Sequence, residues 1–70
     1  MNPKDWPTKI FDYDGSDVIY IGYNKALPDD ADEGATDWAI KKVVYSSGNI
    51  TYILGPLIGE WDEREGLAWS

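Results

Sequence analysis

The chain has 70 residues and a formal net charge of −7, from 13 acidic and 6 basic residues, with no cysteine and no histidine. That length bounds it to one small domain, whose core is marginal because so short a chain buries only about 60% of the surface its unfolded form exposes. The missing Cys and His exclude disulfides, thiolate metal sites and the usual imidazole base, and the acidic balance opposes binding to a phosphate backbone.

Small domains without such staples are commonly stabilised by association. Four Trp and five Tyr supply the amphipathic area that interface cores favour. A partner surface, or a second copy in a homo-oligomer, is therefore expected. No apolar run approaches the ~20 residues that span a bilayer, so no membrane is expected. The opening Asn2-Pro3-Lys4-Asp5-Trp6-Pro7 lacks the apolar stretch of a signal peptide.

Residues 1–7 read as an extended lead, since Pro3 and Pro7 disfavour helix in the residues before them. Residues 8–70 read as one small β domain. Thr8 to Tyr13 alternates loosely and reads as a short edge strand, and Asp14-Gly15-Ser16 is a turn signal. Asp17 to Tyr23 is a stronger strand, apolar on both faces and so expected to be covered on both. Gly22 within it predicts a bulge or the close approach of another backbone. Asn24 to Thr36, with Pro28 and the acids Asp29, Asp30, Asp32 and Glu33, reads as a solvated, mobile loop.

The most regular stretch runs from Thr36 to Leu54. Its β-branched and aromatic runs flank Ser46-Ser47-Gly48-Asn49, the pattern of a β-hairpin with a loop of about four residues. Trp38 opens its first arm and is assigned to the core. In an unbroken strand Trp38 and Ile40 share one face while Val43 and Tyr45 share the other. The pattern therefore predicts either a β-bulge at Lys41-Lys42 or a strand covered on both faces. Two adjacent lysines would also blunt a sheet edge. The second arm, Ile50 to Leu54, is expected to end at Gly55-Pro56. Glu60 to Glu65 can make one helical turn, and Leu67-Ala68-Trp69 a short final strand. The fold class is all-β: a small single antiparallel sheet, or a compact sandwich, of four to five short strands built on a central β-hairpin. One face of the hairpin is expected to pack on Val18 to Tyr23 and the final segment.

Motifs for chemistry are sparse. Asp12-Tyr13-Asp14-Gly15-Ser16-Asp17 has alternating oxygen ligands but lacks the remaining spacing of an EF-hand, and reads as a turn. The run from Asp29 to Glu33 reads as a solvated loop rather than a calcium site. No nucleophile elbow or phosphate-binding loop occurs. Glu60 and Glu63 are a possible carboxylate pair, but a chain this short has little volume for a substrate cleft. No enzyme activity, catalytic residue, metal or cofactor is expected. The aromatics are not interleaved with basic residues, so base stacking is not expected either.

Tyr20-Ile21-Gly22-Tyr23, an acidic loop, Trp38-Ala39-Ile40-Lys41-Lys42-Val43, Gly48-Asn49-Ile50-Thr51, Trp61-Asp62-Glu63-Arg64 and Leu67-Ala68-Trp69-Ser70 follow one another in order. This succession resembles a family of very small tailed-bacteriophage proteins. Their pattern runs Y-I-G-Y-A, an acidic or Ser/Thr loop, W-x-I-K-[KR]-[IV], a G-N-x-T turn and W-D-x-R-x-x-L. The resemblance covers Val18 to Ser70. The chain departs from the pattern at Pro28-Asp29-Asp30 and at Gly55 to Ile58. The resemblance implies a bacteriophage gene product made with the virion structural proteins and residing in the virion, with the major capsid protein or another virion protein as partner. A head decoration (cement) protein is the leading expectation, and a tail, baseplate or fibre-attachment component is the alternative. A non-virion inhibitor of a host protein, including a DNA mimic, is a third. Trp6, Tyr23, Trp61 and Trp69 are the candidate partner contacts.

Overall fold

The computed structural model describes residues 2–69. Four strands, β1 (Thr8–Asp14), β2 (Asp17–Asn24), β3 (Trp38–Ser46) and β4 (Asn49–Gly59), form one antiparallel sheet in the order β1-β2-β3-β4. Each strand pairs with its neighbour in sequence, so the sheet is an up-and-down meander rather than a sandwich. The hairpin does not stack on β2; it extends the same sheet.

Two tight turns set the register. Gly15 has φ +64° at the first central position of the β1–β2 turn, and Asp14 pairs with Asp17 across it. That is the geometry of a type II′ turn. Between β3 and β4, Ser46 pairs with Asn49, and the two residues that turn are Ser47 (φ +54°) and Gly48 (φ +81°). Two positive φ values in succession mark a type I′ turn, whose twist matches that of the strands. The loop is therefore two residues long rather than four, and Asn49 belongs to the strand.

The β3 strand runs unbroken through Lys41-Lys42. It pairs with β2 at Tyr20↔Lys42, Ile21↔Lys41, Gly22↔Ile40 and Tyr23↔Ala39 without a slip. The expected bulge lies instead across the ladder on β4. Pairing runs from Ile40↔Leu57 to Lys42↔Leu54, leaving Gly55-Pro56 opposite Lys41 alone. A proline has no N–H to give the ladder, so it is accommodated where the ladder is interrupted. For the same reason β4 does not end at Gly55-Pro56; pairing resumes at Leu57 and continues to Gly59. A second slip leaves Thr51 unpaired, and a third, between β1 and β2, leaves Ile19 as the extra residue.

The remaining differences lie at the ends. Pro3–Asp5 is a 3-10 turn rather than extended chain, closed by the Trp6 N–H donating to Pro3 O at 3.0 Å. Proline at the first position of such a turn already has the required φ. Trp61–Gly66 is also 3-10 helical. After it Leu67 to Trp69 does not form a strand; it folds back across the sheet, with the Trp69 N–H donating to Leu67 O at 2.8 Å.

The core lies under that C-terminal segment. Tyr20, Trp38, Ile40 and Trp61 are its buried centre, with Ile10, Ile19, Ala31, Leu67 and Trp69 packed around them. Trp38 is 1% exposed. Register places Ile10, Tyr20, Gly22, Trp38, Ile40 and Leu57 on this one face of the sheet. Gly22 makes room not for another backbone but for the Trp61 ring. A Cβ at Gly22 would stand 2.5 Å from Trp61 Cε3. A Cβ at Gly59 would likewise meet Leu67 Cδ2 at 2.9 Å.

Candidate interaction surface

The two faces of the sheet differ. The covered face is closed by Arg64. Its Nε donates to Asp12 Oδ2 at 2.9 Å and its Nη1 to Trp61 O at 3.0 Å. Its guanidinium lies 4.6 Å from the centre of the Trp61 ring and 5.8 Å from that of Tyr20. The Trp69 indole N–H donates to Arg64 O at 2.6 Å, and the Trp69 and Tyr20 rings are 5.9 Å apart. Burial, helped by the Glu65 carboxylate and the more weakly acting Asp12, pushes the Tyr20 phenol above its usual range; Arg64 works against that shift.

The long acidic segment between β2 and β3 also belongs to this side. It is held rather than loose. The Trp38 indole N–H donates to Asp32 O at 2.7 Å and the Asp62 N–H to Glu33 O at 3.1 Å. Thr8 Oγ1 donates to Ala26 O at 2.6 Å, and buried Asn24 donates to Asp37 Oδ1 at 3.0 Å while accepting from the Ala26 N–H at 2.8 Å. A shallow pocket of about 340 Å³ opens here, lined in part by Thr8, Ile10, Glu33 and Trp38. The polar atoms of Thr8 and Trp38 are already spent on the loop, which leaves Lys9 and Glu33 as the polar side chains of its lining. Among the described residues, no group of three or more carboxylates is placed to hold a metal ion.

On the opposite face the inner strands are buried, Tyr23 at 6%, Ala39 at 0% and Val43 at 5%, and exposure is confined to the edge strands β1 and β4. Along this face register lines up Lys9, Phe11 and Tyr13 of β1, Val18, Ile21 and Tyr23 of β2, Ala39, Lys41, Val43 and Tyr45 of β3, and Ile50, Ile53 and Ile58 of β4. Five of these, Phe11, Tyr13, Ile50, Ile53 and Ile58, are between 45% and 63% exposed. Single exposed apolar residues are ordinary; a set sharing one sheet face is the mark of an interaction site. Lys9 and Lys41 flank the Tyr23 ring, their Nζ atoms 5.5 and 5.6 Å from its centre. Lys42, on the covered face, sits 6.0 Å from the Tyr20 ring. The adjacent lysines thus serve opposite faces of a central strand and guard no edge.

The aromatics expected as partner contacts fall mostly inside the fold. Trp61 is 5% exposed and belongs to the core; Tyr23 is buried beneath its two lysines; Trp69 is half-buried against Tyr20. Trp6 is half-buried on the lead, with Lys25 Nζ 5.2 Å from its ring. The exposed set is instead Phe11, Tyr13, Ile50, Ile53 and Ile58. Their alternation with Ile10, Tyr52 and Leu57 was the available signal. The bulge at Thr51 hid it by switching face within β4. No family model matches the chain, and no curated protein and no solved structure matches it.

Proposed function

We propose that the protein is a structural component of a tailed-bacteriophage virion, acting as a head decoration (cement) protein that adds interface to the capsid lattice. The observation that carries the reading is the set of exposed apolar side chains that the edge strands β1 and β4 turn to one side of the sheet. Five large side chains, each about half exposed on a 70-residue chain, need a partner surface to bury them. A cement role supplies that surface, and binding there acts by burial rather than by chemistry. The order of the W-A-I-K-K-V, G-N-I-T and W-D-E-R motifs supports the phage assignment through resemblance alone.

The reading assigns no catalytic or cofactor-binding residue. It takes the major capsid protein as partner, with residence in the particle. Quantitative mass spectrometry of purified particles tests it. The expected result is this chain at a copy number comparable to the major capsid protein. A few copies per particle would move the protein to the tail or baseplate. Absence from particles would reject the virion reading in favour of an inhibitor of a host protein.

A further inference from the structure

We infer that the protein self-associates as a two-fold dimer through one end of the open face, the end formed by the tip of the β3–β4 hairpin and the tip of the β1–β2 hairpin. In the free chain the occupant of this end is a second copy, which binding to another protein through the same side chains would displace.

Three observations converge on it. First, the sheet divides at that end. β2 and β3 pair only from Tyr20↔Lys42 to Tyr23↔Ala39, whereas β3 and β4 continue to Ser46↔Asn49. Residues 43–53 therefore form a two-stranded arm beyond the four-stranded body, and a lone two-stranded ribbon is marginal in water. Its exposed apolar residues, Ile50, Tyr52 and Ile53, fall on both sides. Second, charge is segregated. All 13 acidic residues lie outside residues 38–59, whose only charges are Lys41 and Lys42, and residues 43–59 carry no charge. Two molecules of net charge −7 repel, so they meet at least cost through the arm, which holds none of that charge; Asp12, Asp14 and Asp17 of the neighbouring β1–β2 hairpin fall by register on the other face of the sheet. An isologous contact at the arm keeps the acidic β2–β3 segment and the C-terminal segment of each copy apart.

Third, the lysines restrict the overlap. A full face-to-face sandwich would bury Lys9 and Lys41 of both copies against a face that has no carboxylate, which is costly. Overlap confined to the arm end avoids this. It brings together Tyr13, Tyr45, Ile50 and Ile53, with Phe11 at the margin, and leaves Ile58 outside beyond the Lys41 row. The Phe11 and Tyr13 rings are 6.2 Å apart and present one surface. Tyr13, Ile50, Ile53 and Phe11, about half exposed, and the more buried Tyr45 offer on the order of 500 Å² per copy. The pair then buries about 1,000 Å² in total, the lower limit for a specific interface, so dissociation in the micromolar range is expected.

Sedimentation equilibrium and light scattering on the intact chain test this across a concentration series. The expected mass rises from 7.9 kDa toward twice that value. Ile53→Asp should weaken association at least tenfold, whereas Ile58→Asp, at a site equally open, should leave it within about twofold. Raising salt should strengthen association slightly, because it screens repulsion between like-charged copies. A variant-free readout guards against misfolding: on dilution of the wild-type chain, amide shifts in residues 43–53 should move while those near Ile58 stay fixed. A monomer at millimolar concentration overturns the inference. So does a dimer that Ile58→Asp disrupts, or one that salt dissolves, which would place the contact at the lysines. The inference concerns the free chain, so it stands or falls apart from the virion reading.

Discussion

Gly22→Ala is the sharpest probe of how the C-terminal segment is seated. Gly22 has ordinary strand backbone, so alanine fits the φ/ψ there and by itself should stabilise a strand by about 0.5–1 kcal/mol. The added methyl, however, would stand 2.5 Å from Trp61 Cε3, 2.7 Å from Cζ3 and 3.2 Å from Ile10 Cγ1. The Trp61 ring cannot yield easily. The Trp61 ring is buried, lies 6.0 Å from the Trp38 ring and is held from outside by the Arg64 guanidinium. Overpacking of this kind costs about 1–3 kcal/mol. The net expectation is a loss of about 1–2 kcal/mol, or a fall in Tm of about 10 °C for a domain of this size. Urea denaturation followed by tryptophan fluorescence and near-ultraviolet circular dichroism measures it. The mechanism has its own control. In a Trp61→Leu background the smaller side chain vacates the space, so adding Gly22→Ala should become neutral or stabilising, with a coupling of about 1–3 kcal/mol. If Gly22→Ala stabilises the wild-type chain by the plain strand increment, Trp61 does not pack on Gly22 and the covered face is wrongly described.

Other expectations follow from the same packing. Trp38→Ala should cost about 3–5 kcal/mol, most of the stability of so small a domain, and leave the chain largely unfolded at 25 °C by circular dichroism. Arg64→Ala should destabilise more than Asp12→Asn, because the arginine also stacks on Trp61 and Tyr20 whereas the aspartate makes only the ion pair; equal losses in chemical denaturation would mean that the rings contribute nothing. The Tyr20 phenol should ionise above the usual value of about 10, as the late step of an ultraviolet pH titration that Tyr20→Phe removes. The unfolded chain releases that proton first. Tyr20 therefore supports folding below about pH 10, and this support is lost as pH rises through the higher folded-state value. Tyr20→Phe should flatten that part of the stability profile.

Much of the fold could be read from local pattern. Alternating β-branched and aromatic residues marked all four strands, Asp14-Gly15-Ser16 and Ser46-Ser47-Gly48-Asn49 marked the turns, the second two residues too wide, and Trp38 at the head of the best strand marked the core. What escaped depends on contacts distant in sequence. Nothing near Trp61 says that its ring will sit on Gly22, so an aromatic that looked available to a partner became core. The aim of Lys41 and Lys42 at Tyr23 and Tyr20 depends on β3 being an inner strand, which needs the topology. The β4 slips at Thr51 and at Gly55-Pro56 moved the alternation from one face to the other. They hid Ile50, Ile53 and Ile58 as members of one surface with Phe11 and Tyr13. The need for cover was legible in length and composition; its location was not.

The central claim is that the open sheet face is where this protein is held in its assembly. On the proposed virion reading, a cryo-microscopy map of the particle at side-chain resolution tests it directly. The account expects the four-stranded sheet on the head lattice, with Phe11, Tyr13, Ile53 and Ile58 turned against protein and the acidic segment from Asp29 to Glu33 turned to solvent. A bound chain whose apolar face looks into solvent, with the Trp61–Gly66 side against the lattice, would contradict it.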